Sequence, residues 1–318
     1  MAATTETRID ALLPAEMAVR AEKVGVTKAN MAVFTLFALG ILAGIFIALG
    51  AIFATTVTAP TMSADPATGQ PLASYLPFGI NKLIGGFTFC LGLILVVVGG
   101  AELFTGNNLI VMAWANKRIS TSSVLRNWGI VYVGNFIGAI LTVIVVLLSG
   151  QYTFGGGAVG LNALNIAQAK VGHGFVQAFF LGSLCNMLVC LAVWLVFSAR
   201  TTTDKILSII FPITAFVAAG FEHSVANMYF IPLGIAIKEV AGEAFWIGIG
   251  SSASDYAALT WGSFFLNNLL PVTIGNIIGG AVGVGVVYYV TYLRRKKGDP
   301  EPEQAPSFKL SFHSEIDL

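Results

Sequence analysis

Charged side chains are scarce in this sequence: Asp, Glu, Lys and Arg make up 10% of its 318 residues. Soluble domains carry about 25% charged residues on average. Four stretches lack these residues altogether, namely 29–64, 127–169, 171–199 and 256–293. Each is longer than the roughly 20 apolar residues that cross a bilayer core. The composition therefore argues against a soluble enzyme and predicts an integral membrane protein.

Motifs for metal, redox or nucleotide chemistry are also missing. The three cysteines and three histidines have no metal-site spacing, and no CxxC motif occurs. No Walker loop is present, so nothing indicates ATP-driven transport. We expect no metal, no other cofactor and no nucleic-acid partner.

Two shorter apolar regions, 83–116 and 206–237, each contain a single acidic residue, Glu102 and Glu222 respectively. Counted as one span each, they complete an all-α protein with six transmembrane helices, each hydrogen-bonded within itself. We predict a six-helix domain over 31–297 and a flexible cytoplasmic tail over 298–318. The N-terminal segment 1–30 is either a short amphipathic helix at the membrane surface or a plain solubilising tail.

The distribution of Lys and Arg predicts the orientation. Thirteen of the seventeen lie in the N-terminal segment, in the second and fourth connections, or just after the last helix. Cytoplasmic loops carry such an excess, so both termini are predicted to be cytoplasmic in a multi-pass protein of the inner (plasma) membrane.

A polar pattern occurs twice along the chain. Glu102 and Asn107 in the second span match Glu222 and Asn227 in the fifth. Asn127, Gly134, Asn135 and Gly138 in the third span match Asn268, Gly275, Asn276 and Gly279 in the sixth. Because each half contains three spans, the halves must cross the membrane in opposite senses. The sequence therefore predicts two inverted three-helix repeats with a transport path near the midplane.

The repeated acidic residues lie beside glycines, where helices 2 and 5 are predicted to break. A buried charge at that depth needs partners. We favour the interpretation that Glu102 and Glu222 accept hydrogen bonds from freed backbone N–H groups, supported by Asn107 and Asn227, over direct contact with an ion. The second half-helices, beginning near Phe104 and Ser224, would present N-termini that suit an anion.

The roles of one lysine and two asparagines remain open to more than one interpretation. Lys170 lies in a predicted external connection and either attracts an anion or extends to the membrane interface. Asn135 and Asn276 either join packed helices, which is the default, or line a pore.

Three segments resemble the signatures of the formate/nitrite transporter family: 101–107, 220–228 and 270–276, with the sequences AELFTGN, GFEHSVANM and LPVTIGN. The resemblance runs from about residue 9 to residue 297, and within the family it is greatest to the formate channels. It implies an aquaporin-like bundle that assembles as a homopentamer in the lipid bilayer, with one pore per protomer for formate or a similar small anion. Relatives that carry nitrite or hydrosulfide leave those ions as alternatives, and a membrane enzyme using Glu222 and His223 is a distant one.

The resemblance also implies roles for individual residues. Phe89 and Phe216 would form the external constriction of the pore. Leu93 and the loop around Thr105 would form the cytoplasmic constriction.

His223, with Thr105 and Asn276 nearby, would face the ion in the chamber between the constrictions. A histidine ring titrates near neutral pH and could exchange a proton with a weak-acid anion. One departure is the first external connection, 58–77, which is longer than expected and contains four prolines.

Overall fold

The computed structural model describes residues 10–294, which are mostly helical. The first half contains α1 (Pro14–Ala29), α2 (Val33–Val57), α3 (Phe78–Gly99), a 3-10 turn (Gly106–Ile110) running into α4 (Val111–Ala115), and α5 (Thr121–Leu148). The second half contains α6 (Ala158–Val171), α7 (Phe175–Ser198), α8 (Thr202–Ala218), α9 (Ser224–Val240), α10 (Glu243–Ile249) and α11 (Leu270–Ile277). The predicted tail, 298–318, lies outside the described residues.

Five helices within residues 10–294 are long and apolar enough to cross a membrane: α2, α3, α5, α7 and a last span, Ser263–Leu293. The last span contains α11 with π-helical turns on either side. The sequence predicted a sixth span over 206–237. The chain there forms two helices of 17 residues each, α8 and α9, separated by an irregular segment.

Helix packing follows one scheme in both halves. The helix α2 packs against α3 and α5, and α7 packs in the same way against α8 and α11. The helix α3 also packs along α8, which joins the two halves. Large apolar side chains such as Phe34, Phe211 and Leu148 remain on the outside and are more than three-quarters exposed. An apolar exterior of this kind is stable in lipid rather than in water.

The long first connection forms a β-hairpin. Strand β1 (Thr61–Ala64) pairs antiparallel with β2 (Pro71–Ser74). Asp65 closes the turn, because its carboxylate accepts hydrogen bonds from the backbone N–H groups of Ala67 and Thr68. These bonds hold the pKa of Asp65 below its ordinary value.

Glycines allow two helix pairs to approach closely. A Cβ atom at Gly138 of α5 would overlap the carbonyl oxygen of Ile41 in α2. A Cβ atom at Gly279 would overlap the carbonyl oxygen of Ser183 in α7. The repeated glycines thus bring α5 onto α2 and the last span onto α7, as small residues commonly do in membranes.

We expect Gly138→Ala to destabilise the protein by about 1–3 kcal/mol, because the added methyl group must displace backbone of α2. Gly129→Ala in the same helix is the matched control, since a Cβ atom there meets nothing within 4 Å. Thermal unfolding in detergent measures both. Equal melting temperatures for Gly138→Ala and wild type would contradict the close approach.

Candidate functional site

Two helices end at a glycine with a left-handed backbone. Gly100 follows α3 with φ of +81°, and Gly220 follows α8 with φ of +73°. In both places the next residue folds back, so that Ala101 N–H bonds to Val96 and Phe221 N–H bonds to Phe216. The chain then runs without regular structure through Glu102 in one half and Glu222 in the other. These are the breaks that the sequence predicted.

Two buried asparagines hold the backbone of the breaks. Asn135 of α5 accepts from the N–H of Phe104 at 2.9 Å and donates to the carbonyl of Glu102 at 2.9 Å. Asn276 of α11 accepts from the N–H of Ser224 at 2.9 Å and donates to the carbonyl of Glu222 at 3.0 Å. Backbone groups freed by a broken helix need such partners in an apolar medium.

Each buried carboxylate is held by a lysine and by asparagines. Glu102 accepts from Lys28 at 2.7 Å and from Asn107 at 2.7 Å. Asn107 also donates to Asn127, and Asn127 donates to the carbonyl of Lys28.

The second half repeats this network. Glu222 accepts from Lys170 at 2.8 Å, from Asn227 at 2.6 Å and from Asn268 at 3.1 Å. Asn227 donates to Asn268, which donates to the carbonyl of Lys170.

The groups that donate hydrogen bonds to the two carboxylates differ from the prediction. We expected freed backbone N–H groups to bind Glu102 and Glu222, but the donors are side chains. The reason is geometric: Asn135 and Asn276 already accept from one freed N–H in each break. The glutamate N–H groups themselves donate to carbonyls of α2 and α7, at Leu39 and Leu181.

His223 and Thr105 join the two breaks. The His223 Nε2 atom lies 2.9 Å from Thr105 Oγ1. Its Nδ1 atom accepts from the N–H of Ala226 at 3.0 Å and thereby caps α9. Because a backbone N–H only donates, Nδ1 carries no proton, and the neutral ring has its proton on Nε2. The ring therefore donates to Thr105, whose hydroxyl is fully buried.

A cavity of about 670 Å³ ends at His223, and we call it the Phe216 cavity. Its walls include the rings of Phe89, Phe216 and Phe230 and the charged side chains of Lys82, Lys170 and Glu222. The rings of Phe89 and Phe216 are in edge-to-face contact, with centroids 5.8 Å apart, and both are 3% exposed. These two rings, predicted to form a constriction, thus meet within the cavity wall.

A second cavity, of about 330 Å³, is lined by Leu93, Leu103, Lys28 and Glu102, and we call it the Leu93 cavity. No described residue lines both cavities. Phe89 and Leu93 are one helical turn apart on the same face of α3, about 6 Å along its axis. The two cavities therefore approach each other along α3 and are separated by about one turn.

Tyr75, which follows the hairpin, lines the Phe216 cavity. Its hydroxyl accepts from Asn165 at 3.1 Å, and Asn165 in turn accepts from the hydroxyl of Tyr256 at 3.0 Å. The hairpin also contacts α10, where Pro71 packs near Gly250. The unexpected length of the first connection thus shapes one end of this cavity.

Three predicted site residues have other surroundings than expected. Thr105, predicted from the resemblance to face the ion, lines neither cavity. Asn276, predicted from the resemblance to face the ion, lines neither cavity, and both atoms of its amide bond to backbone. Its contacts agree with the packing interpretation. Lys170 lines the Phe216 cavity, but it belongs to helix α6 and its charge is paired with Glu222.

Nothing in the sequence analysis identified Lys28 as a partner of Glu102. The repeat contains the signal, since Lys28 and Lys170 occupy matching places in the two networks. The separations differ, however: Lys28 precedes Glu102 by 74 residues, and Lys170 precedes Glu222 by 52. The hairpin lies between Lys28 and Glu102 and contributes to the longer separation, which hides the match.

The family model described as "Formate/nitrite transporter" matches residues 15–290 of the chain. The chain belongs to the formate/nitrite transporter family. It is 47% identical over 285 residues to the formate channel FocA of Escherichia coli K12, covering 90% of this chain and 96% of that protein. It is 44% identical over 276 residues to the formate channel FocA of Haemophilus influenzae, covering 87% of this chain and 93% of that one.

A solved structure of a pentameric formate channel with formate bound matches with a TM-score of 0.74 at 46% identity, covering 82% of this chain and 98% of that chain. A second solved structure, an ion channel of the same family, matches with a TM-score of 0.64 at 30% identity, covering 87% of this chain and 98% of that chain. The family resemblance predicted from the sequence is confirmed. As a formate/nitrite transporter family member with several apolar helices, the chain is an integral membrane protein.

We expect Glu222→Gln to destabilise this family member by about 3–5 kcal/mol, because it leaves the Lys170 ammonium buried without a counter-charge. The double variant Glu222→Gln/Lys170→Met should recover most of that loss. The equivalent pair in the other half, Glu102→Gln with Lys28→Met, serves as the matched control. Unfolding free energies of the singles and the double give the coupling. A double variant whose loss equals the sum of the singles would contradict the pairing.

Proposed function

We propose that this protein is a channel for small monovalent anions, most of all formate, with a pore in each protomer. The observation that carries the proposal is the pair of cavities that approach each other along α3. Phe89, Phe216 and His223 line one cavity, Leu93 lines the other, and His223 is bonded to the buried Thr105. Relatives that share 44–47% of this sequence over nearly their whole length are formate channels, and this similarity supports formate as the substrate.

We further propose six membrane spans in two inverted repeats, with α3 and α8–α9 as the broken second and fifth spans. The matching networks around Glu102 and Glu222 support this arrangement. An even number of spans and the excess of Lys and Arg in alternate connections favour cytoplasmic termini in a plasma membrane. The pentameric relative of 46% identity supports a homopentamer.

The apolar side chains where the two cavities approach each other explain how hydrated ions would be excluded. Phe89, Phe216 and Leu93 are 2–3% exposed and offer no polar group to replace an ion's water. A bare charge in such a constriction costs many kcal/mol unless other groups stabilise it. A weak-acid anion avoids this cost if it accepts a proton there and crosses as the neutral acid.

The geometry restricts how His223 takes part in that proton exchange. The neutral ring can donate a hydrogen bond from Nε2, but it has no proton to give away without becoming an anion. To act as a proton donor the ring must first gain a proton at Nδ1, and Nδ1 must then release the N–H of Ala226. Proton transfer through His223 is thus coupled to loss of the α9 cap.

The Thr105 hydroxyl provides a second polar group at the same point. Because it accepts from His223 Nε2, its own hydrogen is directed elsewhere. No described residue is a hydrogen-bond acceptor for it. A passing carboxylate could accept that hydrogen and be held beside the ring.

The proposed function is tested by uptake into proteoliposomes of formate, nitrite and hydrosulfide, each offered separately. We expect formate uptake well above that of protein-free vesicles. Faster uptake of nitrite or hydrosulfide than of formate would assign the chain to one of those ions. Uptake of all three at the rate of empty vesicles would contradict the channel function.

We predict that Phe89→Ala with Phe216→Ala raises the ratio of acetate to formate uptake by about tenfold, since a wider constriction no longer rejects one extra methyl group. The matched control is Phe87→Ala with Phe211→Ala, because those rings lie on the same two helices but are more than half exposed. Proteoliposome uptake of both acids gives the ratio. An unchanged ratio in the first variant would mean that its rings lie outside the path.

We predict that His223→Asn abolishes formate-driven acidification of the vesicle interior between about pH 5 and 8. Asn retains an oxygen that can cap α9, so folding and assembly should survive. A leak of formate down an electrical gradient can persist, because Asn supplies the α9 cap in place of the ring but cannot exchange a proton.

His173→Asn is the control for that variant, since this second histidine also lines the Phe216 cavity. It should acidify the vesicles as wild type does. Native mass spectrometry reports whether each variant remains pentameric. Acidification by His223→Asn equal to that of wild type would reject proton exchange at this ring.

A further inference from the structure

The Phe216 cavity contains one positive charge without a counter-charge. Lys170 is paired with Glu222 at 2.8 Å, and the His173 Nε2 atom is 3.9 Å from the same carboxylate oxygen. Lys82 lines the cavity too, yet it forms no ion pair with any residue of the described range 10–294. Among the Lys, Arg, Asp and Glu side chains of the described range that line the cavity, Lys82 is therefore the one outside an ion pair.

Lys82 lies on the face of α3 that follows the path. It precedes Phe89 by seven residues, which places both on the same side of the helix about 10 Å apart along its axis. Leu93 continues the same face one turn further. The Lys82 ammonium lies 5.6 Å from the centre of the Phe78 ring, at the start of α3. An ion approaching the Phe89–Phe216 rings through this cavity thus passes Lys82 first.

The field around Lys82 favours an anion. Lys82 and Lys170 carry like charges in the wall of the same cavity and repel each other, and Glu222 is already paired with Lys170 at 2.8 Å. A monovalent anion in the cavity relieves the repulsion without breaking the Lys170–Glu222 pair. The aromatic walls have a low dielectric constant and focus the field, which raises the local concentration of counter-ions.

We propose that Lys82, rather than Lys170, is the residue that attracts and briefly holds a small carboxylate anion ahead of the Phe89–Phe216 constriction. The proposal rests on the channel function and adds to it a binding residue on the Phe216 side. Lys170 then serves mainly to neutralise Glu222. The site is selective for charge and small size rather than for a particular acid.

The test uses Lys82→Gln, which removes the charge, and Lys82→Arg, which keeps it. Lys205→Gln is the matched control, because it removes the same charge from α8 at a position outside both cavities. The Lys82 side chain makes no hydrogen bond to another described residue, so neither substitution breaks one. Size-exclusion chromatography establishes that each variant assembles as wild type does.

The first measurement is the initial rate of formate uptake from the Phe216 side of oriented vesicles, over a range of formate concentrations. We expect Lys82→Gln to raise KM about three- to tenfold and to change the maximal rate less than twofold. The difference should shrink as salt rises from about 0.01 M to about 1 M, because salt screens the charge. Lys82→Arg and Lys205→Gln should keep the wild-type KM.

The second measurement does not depend on transport. Line broadening of the ³⁵Cl NMR signal reports chloride bound to the solubilised protein, and formate should displace it. We expect Lys82→Gln to lose most of the formate-displaceable broadening, whereas Lys82→Arg and Lys205→Gln retain it. Wild-type broadening in Lys82→Gln would overturn the proposal. If wild-type protein carries no formate, the channel function fails, and the NMR result still decides whether Lys82 binds the anion.

Discussion

Backbone groups freed inside a membrane must find hydrogen-bond partners, and the rest of this structure depends on how that is done at two broken helices. Asn135 and Asn276 bind the freed groups on both sides of each break. The carboxylates of Glu102 and Glu222 then fix the following turn through Asn107 and Asn227. With these bonds formed, irregular backbone can remain buried where two cavities approach each other.

The proposed pore chemistry arises where the two halves differ. The matching residues are Glu102 with Glu222, Leu103 with His223, and Thr105 with Val225. His223 and Thr105 therefore each stand where the other half has an apolar side chain, and they bond to each other across the two halves. The repeated residues form a scaffold common to both halves. His223 and Thr105, which are not repeated, form one polar contact between the halves. Lys170 has the counterpart Lys28 in the first half and therefore belongs to the shared scaffold. Lys82, by contrast, is proposed to act on the anion.

The sequence predicted the helical membrane class, the family and the two breaks, because long apolar stretches and repeated polar residues reflect local constraints. It predicted the wrong donors for Glu102 and Glu222, since nothing local shows that Lys28 and Lys170 reach these carboxylates from other helices. It also could not show that both amide atoms of Asn276 are used by backbone, or that the long first connection forms a hairpin beside one cavity. These features depend on contacts between distant segments, which a single sequence does not reveal.

We propose that the two cavities open on opposite sides of the membrane, with Phe89, Phe216 and Leu93 where they approach each other. Labelling of single cysteines tests it, after replacement of Cys90, Cys185 and Cys190, which are buried. Leu76→Cys reports the Phe216 cavity and Val97→Cys the Leu93 cavity. With a membrane-impermeant thiol reagent, we predict that Leu76→Cys reacts only from outside the cell and Val97→Cys only from the cytoplasmic side. Labelling of both cysteines from one side alone would contradict a path across the membrane.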